Sequence, residues 1–264
     1  MTSRETPTAI LTRPAGRNDG LAARLQEAGW RVHAWPALCI EPLSCVAAEI
    51  PLPGNFDLAV FVSGNAAAQY LDQLRAIGQS QWPSSCVAAA VGPGTAARLR
   101  DRGGLEAPGL VLHPGADAPR HDSEALWELL AMRGPIPRRV LLVRGTEGRD
   151  WLAERLRDHG AQVHLHAVYH RVAADWDAAV LAQLQAWTRE GHHPTWLLTS
   201  AASIHAVRAN VERAASVQWW GACGFVVTHP RLVQPLELPA GREAEAVRLC
   251  APADDAIFDA FVSG

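Results

Sequence analysis

The sequence contains no lysine: all 24 of its basic residues are arginine. Imine formation with a carbonyl substrate, a pyridoxal phosphate anchor, a P-loop and a kinase-type nucleotide site each need a lysine amine at a fixed place, so all four are excluded together. A basic surplus is missing too. A net charge of −3 and a pI near 6.4 leave no electrostatic footprint for nucleic acid. No apolar run is long enough to span a bilayer, so no membrane segment is expected. Met1 to Pro7 is polar where a secretory signal would carry its hydrophobic stretch, and this points to the cytoplasm. Cys39, Cys45, Cys86, Cys223 and Cys250 are odd in number and form no CxxC pair, as expected of small core residues in a reducing compartment. The histidines lack metal-ligand spacing, His192 and His193 being adjacent in a polar stretch, so no metal site is expected. Tyrosine is scarce, with only Tyr70 and Tyr169.

What is present is α/β. At 264 residues, 48% hydrophobic and 19% charged, the chain has room for one large or two ordinary cored domains. Arg139 to Arg171 organises the rest. Val140 to Val143 reads as a buried strand, and Gly145 and Gly148 open a turn. A helix follows with Leu152 and Leu156 inward, Gly160 closes it, and Gln162 to Ala167 alternates as a half-buried strand that leaves through Val168, Tyr169, His170 and Arg171.

The same unit occurs once before. Residues 9–33 laid on residues 140–164 without a gap give 10 identities in 25 positions, at Leu11, Arg13, Asp19, Leu21, Ala22, Arg24, Leu25, Gly29, Val32 and His33. The matches fall on the strand end, the helix core face and the closing glycine, which marks an internal duplication. A fainter pair joins Phe56–Ala67 with Trp196–Ile204, each an apolar strand running into Ser63 or Ser200 and then an alanine-rich helix. The repeat alone points to two tandem domains split near residue 130.

Along the chain, Asn18 or Asp19 is expected to cap the first helix, and Trp35 to Leu43, with proline near both ends, to be an extended linker. Cys86 to Val91 reads as a strand running into Gly92, Pro93, Gly94 and Thr95. That turn either presents backbone N–H groups to an anion or is a plain tight turn, and it is an incomplete nucleotide fingerprint. Asp122–Met132 and Asp175–Arg189 read as helices, the second with a core stripe of Trp176, Val180, Leu184 and Trp187. Glu245–Cys250 reads as a late strand and Asp254–Val262 as a terminal helix. Strand and helix alternate throughout, which implies parallel sheets covered on both faces.

In order, the TRP near the N-terminus, FDLAVFVSGNA, VAAAVGPGTAARL, LLVRGTEGR, GAQVHLHAVYHR, LLTSAASI and FVVTHPR resemble bacterial uroporphyrinogen-III synthase over essentially the whole chain. The resemblance implies two similar parallel-sheet α/β domains joined by a two-stranded extended linker. Residues 1–35 plus 173–264 would form one domain and 44–165 the other, with crossovers at 36–43 and 166–172. It also implies the reaction. Hydroxymethylbilane, a linear tetrapyrrole with eight carboxylates, is cyclised to uroporphyrinogen III with loss of water and inversion of the last pyrrole ring, without a cofactor. A monomer that takes its substrate from hydroxymethylbilane synthase is the further implication.

Curling such a ligand is a positioning problem. Its carboxylates suit backbone N–H groups at helix starts, expected after Ser63, Thr95, Arg144 and Ser200, with Asn65 beside the first and Arg13, Arg144 and Arg149 as charge partners. Ser63 and Ser200 read equally as helix caps, and Arg13 and Arg144 as members of ion pairs. Tyr169 matches the family's cleft tyrosine, which assists departure of the hydroxyl as hydrogen-bond donor or acid. The VTHPR segment departs from the Gly- and Thr-rich turn of many relatives, with Thr228 replacing the usual contact. Two other readings stand beside this one. One is a non-catalytic two-lobed protein that binds a polyanionic tetrapyrrole or other small anion. The other is a phosphosugar or nucleotide enzyme, against which the missing lysine and the incomplete glycine fingerprint both count.

Overall fold

The structure, a computed structural model, describes residues 6–105, 110–115 and 117–263; residues 1–5 of the polar N-terminus lie outside the described residues. In chain order, β1 (Thr8–Leu11), α1 (Asp19–Glu27) and β2 (Arg31–Ala34) make the first β-α-β unit, and β3 (Leu38–Pro42) follows. Next come β4 (Leu58–Phe61), α2 (Gly64–Ala76), β5 (Val87–Ala90), α3 (Pro93–Gly103), β6 (Val111–Leu112) and α4 (Ser123–Met132). The second β-α-β unit is β7 (Arg139–Gly145), α5 (Trp151–Asp158) and β8 (Gln162–Ala173). The remainder holds α6 (Ala178–Glu190), β9 (Thr195–Leu198), α7 (Ala201–Glu212), α8 (Val217–Ala222), β10 (Gly224–Val227), α9 (Glu243–Ala246), β11 (Val247–Leu249) and α10 (Asp254–Val262).

The chain divides into two compact units, one of Met1–Cys39 with Val172–Gly264 and one of Ile40–Arg171. The first contains a sheet of order β11-β10-β9-β1-β2 and the second a sheet of order β3-β8-β7-β4-β5-β6. A tandem split near residue 130 is therefore wrong. β1 is paired on one side with β2 and on the other with β9, whose Trp196 lies opposite Ile10. The repeat reveals that two units are alike but not which later strand completes each sheet.

The inner strands β1, β9 and β10 of the first unit and β4, β5 and β7 of the second are apolar on both faces because helices cover both faces. In the second unit Leu58, Val60, Val140 and Leu142 pack against Leu126 and Leu130 of α4 and Leu152 and Leu156 of α5. Their neighbours Ala59, Phe61, Leu141 and Val143 pack against Leu71 and Leu74 of α2 and Leu99 of α3. In the first unit Ala9, Leu11, Leu197 and Val226 meet Leu21 and Leu25 of α1 and Ile257 and Phe261 of α10. Ile10, Trp196, Leu198, Phe225 and Val227 meet α6, α7 and α8 across a tryptophan-rich core.

The duplication extends to the strand register. Ala9 pairs with Val32 and Val140 with Val163, the same positions in the ungapped alignment. Ala9 also pairs with Thr195, and Val140 with Leu58, so Ser200 and Ser63 stand five residues after equivalent strand starts. One step further out, Thr195 pairs with Gly224 and Leu58 with Val87, which makes Thr228, His229 and Pro230 the counterparts of Val91, Gly92 and Pro93.

Several local expectations change. Asn18 precedes α1 but makes no side-chain cap; its amide instead accepts from Arg13 Nε and donates to the Arg13 carbonyl. The helix expected from Asp175 begins at Ala178, capped by Asp177, so Trp176 lies ahead of it and reaches the core by donating its indole N–H to the Pro36 carbonyl. The late strand is only Val247–Leu249, after the short α9. Cys86 and Cys223 are buried, and desolvation pushes both thiols up to about 12, but Cys39 is exposed rather than a core residue.

Candidate functional site

Parallel sheets present ligand-binding groups at the carboxyl ends of their strands, where loops turn into helix N-termini. In the unit Ile40–Arg171 that edge gathers Ser63 after β4, the Gly92 turn after β5, the 145–150 loop after β7 and Tyr169 near the end of β8. Ser63 is the N-cap of α2, its Oγ accepting from Ala66 N–H at 3.1 Å. Asn65, in the first turn, is exposed. Gly92 caps α3 with Pro93 in the first turn, so Thr95 sits inside the helix and is buried rather than preceding its start.

Tyr169 is 2% exposed and belongs to the core on the α2 and α3 face. Its hydroxyl lies 3.2 Å from Ser63 Oγ and accepts from Arg171 Nη2 at 3.4 Å. Arg171 also lies over the ring, 5.6 Å from its centroid. The strand register shifts at Arg144/Gly145, so that Gly145 is opposite Tyr169. The ring fills the space a side chain on Gly145 would need: a Cβ there would lie 2.7 Å from Cε2 and 2.8 Å from Cζ.

Arg144 does not open a helix. α5 begins only at Trp151, and the buried guanidinium of Arg144 ties down the intervening loop. Nε donates to the Gly145 carbonyl at 3.1 Å, Nη2 to the Gly148 carbonyl at 2.8 Å, and Nη1 pairs with Asp150. Gly148 has φ +143, and a Cβ there would sit 3.2 Å from Arg144 Nη2, so glycine is required for this closure. Arg149 is exposed and pairs through both terminal nitrogens with Glu124.

In the other unit the matching edge holds Arg13, Ser200 and Thr228. Arg13, equivalent to Arg144, donates to Asn18 at 3.2 Å and to Asp254 at 2.6 Å, and its Nη2 is buried without a partner. Ser200 caps α7 in a reciprocal capping box with Ser203, the two hydroxyls 3.0 Å apart. Thr228 is half-buried after β10 and leads only into a single 3-10 turn, Pro230–Leu232, where its counterpart segment leads into α3. Ser203, Gly145 and Arg171 were not among the site residues expected from the sequence. The i, i+2 spacing of Arg171 and Tyr169 on one strand was the available sign for Arg171, and the partner of Gly145 depends on a register shift that carries no sequence mark. Among the described residues no group of three or more His, Cys, Asp or Glu is placed to hold a metal ion, and no helix is long and apolar enough to cross a membrane.

Hydroxyls and helix N-termini at the carboxyl ends of parallel strands, found in each unit, are the arrangement by which open α/β sheets hold small ligands. The family model for uroporphyrinogen-III synthase HemD matches residues 19–246. The chain is 26% identical over 226 residues to uroporphyrinogen-III synthase of Salmonella typhimurium, covering 84% of this chain and 87% of that protein. It is 31% identical over 172 residues to the Proteus mirabilis protein of the same name, covering 63% and 81%. In fold it resembles a mutant uroporphyrinogen III synthase from the extremely thermophilic bacterium Thermus thermophilus, with TM-score 0.53, 14% identity and 97% of each chain covered. The uroporphyrinogen-III synthetase of Helicobacter pylori also has TM-score 0.53, with 15% identity and coverage of 97% and 99%. The chain belongs to the uroporphyrinogen-III synthase family.

Proposed function

We propose that this protein is a lyase of tetrapyrrole biosynthesis that converts hydroxymethylbilane to uroporphyrinogen III, closing the ring with loss of water and inversion of the last pyrrole. Membership of the family supports this reaction class. The observation that carries the chemistry is the Tyr169 hydroxyl held 3.2 Å from Ser63 Oγ at the carboxyl edge of a sheet, where a proton can be supplied to a departing hydroxyl. In the Ile40–Arg171 unit, N–H groups at the starts of α2 and α3, with Ser63, Asn65 and Thr95, are suited to substrate carboxylates; in the other unit those at the start of α7, with Ser200, and Thr228 after β10 offer the same chemistry. Arg13 keeps one guanidinium nitrogen uncommitted, whereas Arg144 and Arg149 already hold partners of their own and would act by shaping their loops. The segments 36–43 and 166–172 serve as the linker between domains in this reading. The protein works as a cytoplasmic monomer, receiving its labile substrate from hydroxymethylbilane synthase.

The test is the isomer ratio of porphyrin formed when purified protein is added to freshly generated hydroxymethylbilane, which closes unaided to the type I isomer. Type III product is expected. Only type I product from folded protein would overturn the assignment and leave a tetrapyrrole-binding protein without turnover.

A further inference from the structure

The two duplicated serines differ in where their protons go. Ser200 accepts from Ser203 N–H at 3.1 Å and gives its own proton to Ser203 Oγ at 3.0 Å, so its hydroxyl is closed within the capping box. Ser63 accepts the equivalent N–H, from Ala66, at 3.1 Å, but alanine has no side-chain oxygen to take the Ser63 proton. In place of that oxygen the Ile40–Arg171 unit brings up the Tyr169 hydroxyl at 3.2 Å.

Donor and acceptor capacities then fix the direction. A guanidinium only donates, so Arg171 Nη2 occupies a lone pair of the Tyr169 oxygen and the phenol proton points to Ser63 Oγ. With Ala66 N–H and the phenol both donating to it, Ser63 Oγ has both lone pairs filled, and its own hydrogen is the one left to give. Tyr169, at 2% exposure, is sealed behind this arrangement, while Ser63 is only half-buried at the strand end.

We infer that the atom that hands a proton to the leaving hydroxyl is Ser63 Oγ, with Tyr169 as the reservoir behind it and Arg171 as a positioning residue that stabilises the phenolate. This relay rests on the function proposed above. As the methylene C–O bond breaks, the Ser63 proton completes the departing water and the Tyr169 proton moves to Ser63 Oγ. The pyrrole nitrogen lone pair stabilises the methylene cation. Attack on that cation by the substituted α carbon of the last pyrrole forms a C–C bond. The methylene bridge already held by that carbon breaks and re-forms at the ring's free α carbon, which inverts the ring. The proton this carbon then releases restores the phenol, so the cycle is balanced without an external acid.

The test uses full-length protein and hydroxymethylbilane, with type III formation followed at saturating substrate. Ser63→Gly removes the hydroxyl yet costs the helix cap little, because glycine is itself a tolerated cap. Its kcat is expected to fall about 100-fold, in the range general acid catalysis provides, with KM nearly unchanged, and Ser63→Thr to recover most of the loss. Arg171→Met is expected to lower kcat by about tenfold, the loss of roughly one neutral-to-charged hydrogen bond, and Arg171→Gln to recover part of it. Since the residues act in series, Ser63→Gly combined with Tyr169→Phe is expected to be no slower than the slower single variant. Full kcat in Ser63→Gly, or losses that multiply in the double variant, would overturn the relay while leaving the assigned reaction intact. Failure of the unsubstituted protein to make type III product would overturn both.

Discussion

Gly145→Ala should disable the protein by moving one ring. The added Cβ would meet Tyr169 Cε2 at 2.7 Å and Cζ at 2.8 Å, whereas non-bonded carbons settle at about 3.5–4.0 Å. The ring has to retreat by roughly 1 Å, and at 2% exposure it has packed neighbours on every side. Overpacking of this kind costs about 1–3 kcal/mol. The same retreat lengthens the 3.2 Å contact with Ser63 beyond hydrogen-bonding range, and a misplacement of about 1 Å at a reacting group costs on the order of 100-fold in rate. Gly145 has no positive φ, so backbone strain does not contribute. Urea unfolding and type III porphyrin formation measure the two losses on one sample. In a Tyr169→Ala background the ring is gone, and the stability cost of Gly145→Ala should nearly disappear. An equal cost in both backgrounds, or unimpaired turnover of Gly145→Ala, would refute the reasoning.

Arg144→Met is expected to lower stability by about 2–3 kcal/mol, the scale of charge-assisted hydrogen bonds in a buried setting, because the Gly145 and Gly148 carbonyls and Asp150 lose their common donor. Unchanged urea stability with a raised KM would instead make Arg144 a substrate contact. A pH dependence follows from His33, whose pKa is lowered by desolvation first and then by Arg31 and His192, with Nε2 buried without a partner beside Trp35 and Trp187. A histidine held neutral in the fold is protonated more readily in the unfolded chain. Its contribution is therefore complete above pH ~6.5, the ordinary histidine value, and is lost as pH falls through 6.5 toward the depressed folded value. The urea midpoint should drop between pH ~7 and pH ~5.5, on either side of that ordinary value, and the slope should lessen in His33→Phe; an identical slope in the variant would remove His33 as its cause.

Much of the fold was legible because the duplication is written at matching positions: the pairs Leu11 and Leu142, Arg13 and Arg144, and Gly29 and Gly160 are identical, and the strand pairs beside them share one register. Helix starts were legible where a capping residue followed an apolar strand, as at Ser63, or preceded leucines at helical spacing, as at Asp122. They were not where Asp175 and Asp177 both offered a cap and Trp176 fell at helical spacing by coincidence. Completion of the first sheet by β9 depends on contacts between residues far apart in sequence, which a local pattern does not encode. Within the site, Tyr169 and Ser63 were marked by scarcity and by repetition. The roles of Arg144 and Arg149 were less visible, because a charged residue beside a strand end looks the same from sequence whether it faces a ligand or clamps its own loop.

The interrupted first unit imposes a schedule on synthesis. β1 and β2 leave the ribosome early, but β9, the other neighbour of β1, emerges only after the whole of Ile40–Arg171. At about 5–20 residues per second that delay is on the order of ten seconds, ample for the contiguous unit to close first, since α/β domains fold in milliseconds to seconds. During the wait β1 offers Ala9, Ile10 and Leu11 with one open backbone edge. Both early strands are only four residues long, and short strands give passing chains little ladder to extend. The nascent chain therefore carries this open edge in a short form until the residues that cover it have been made.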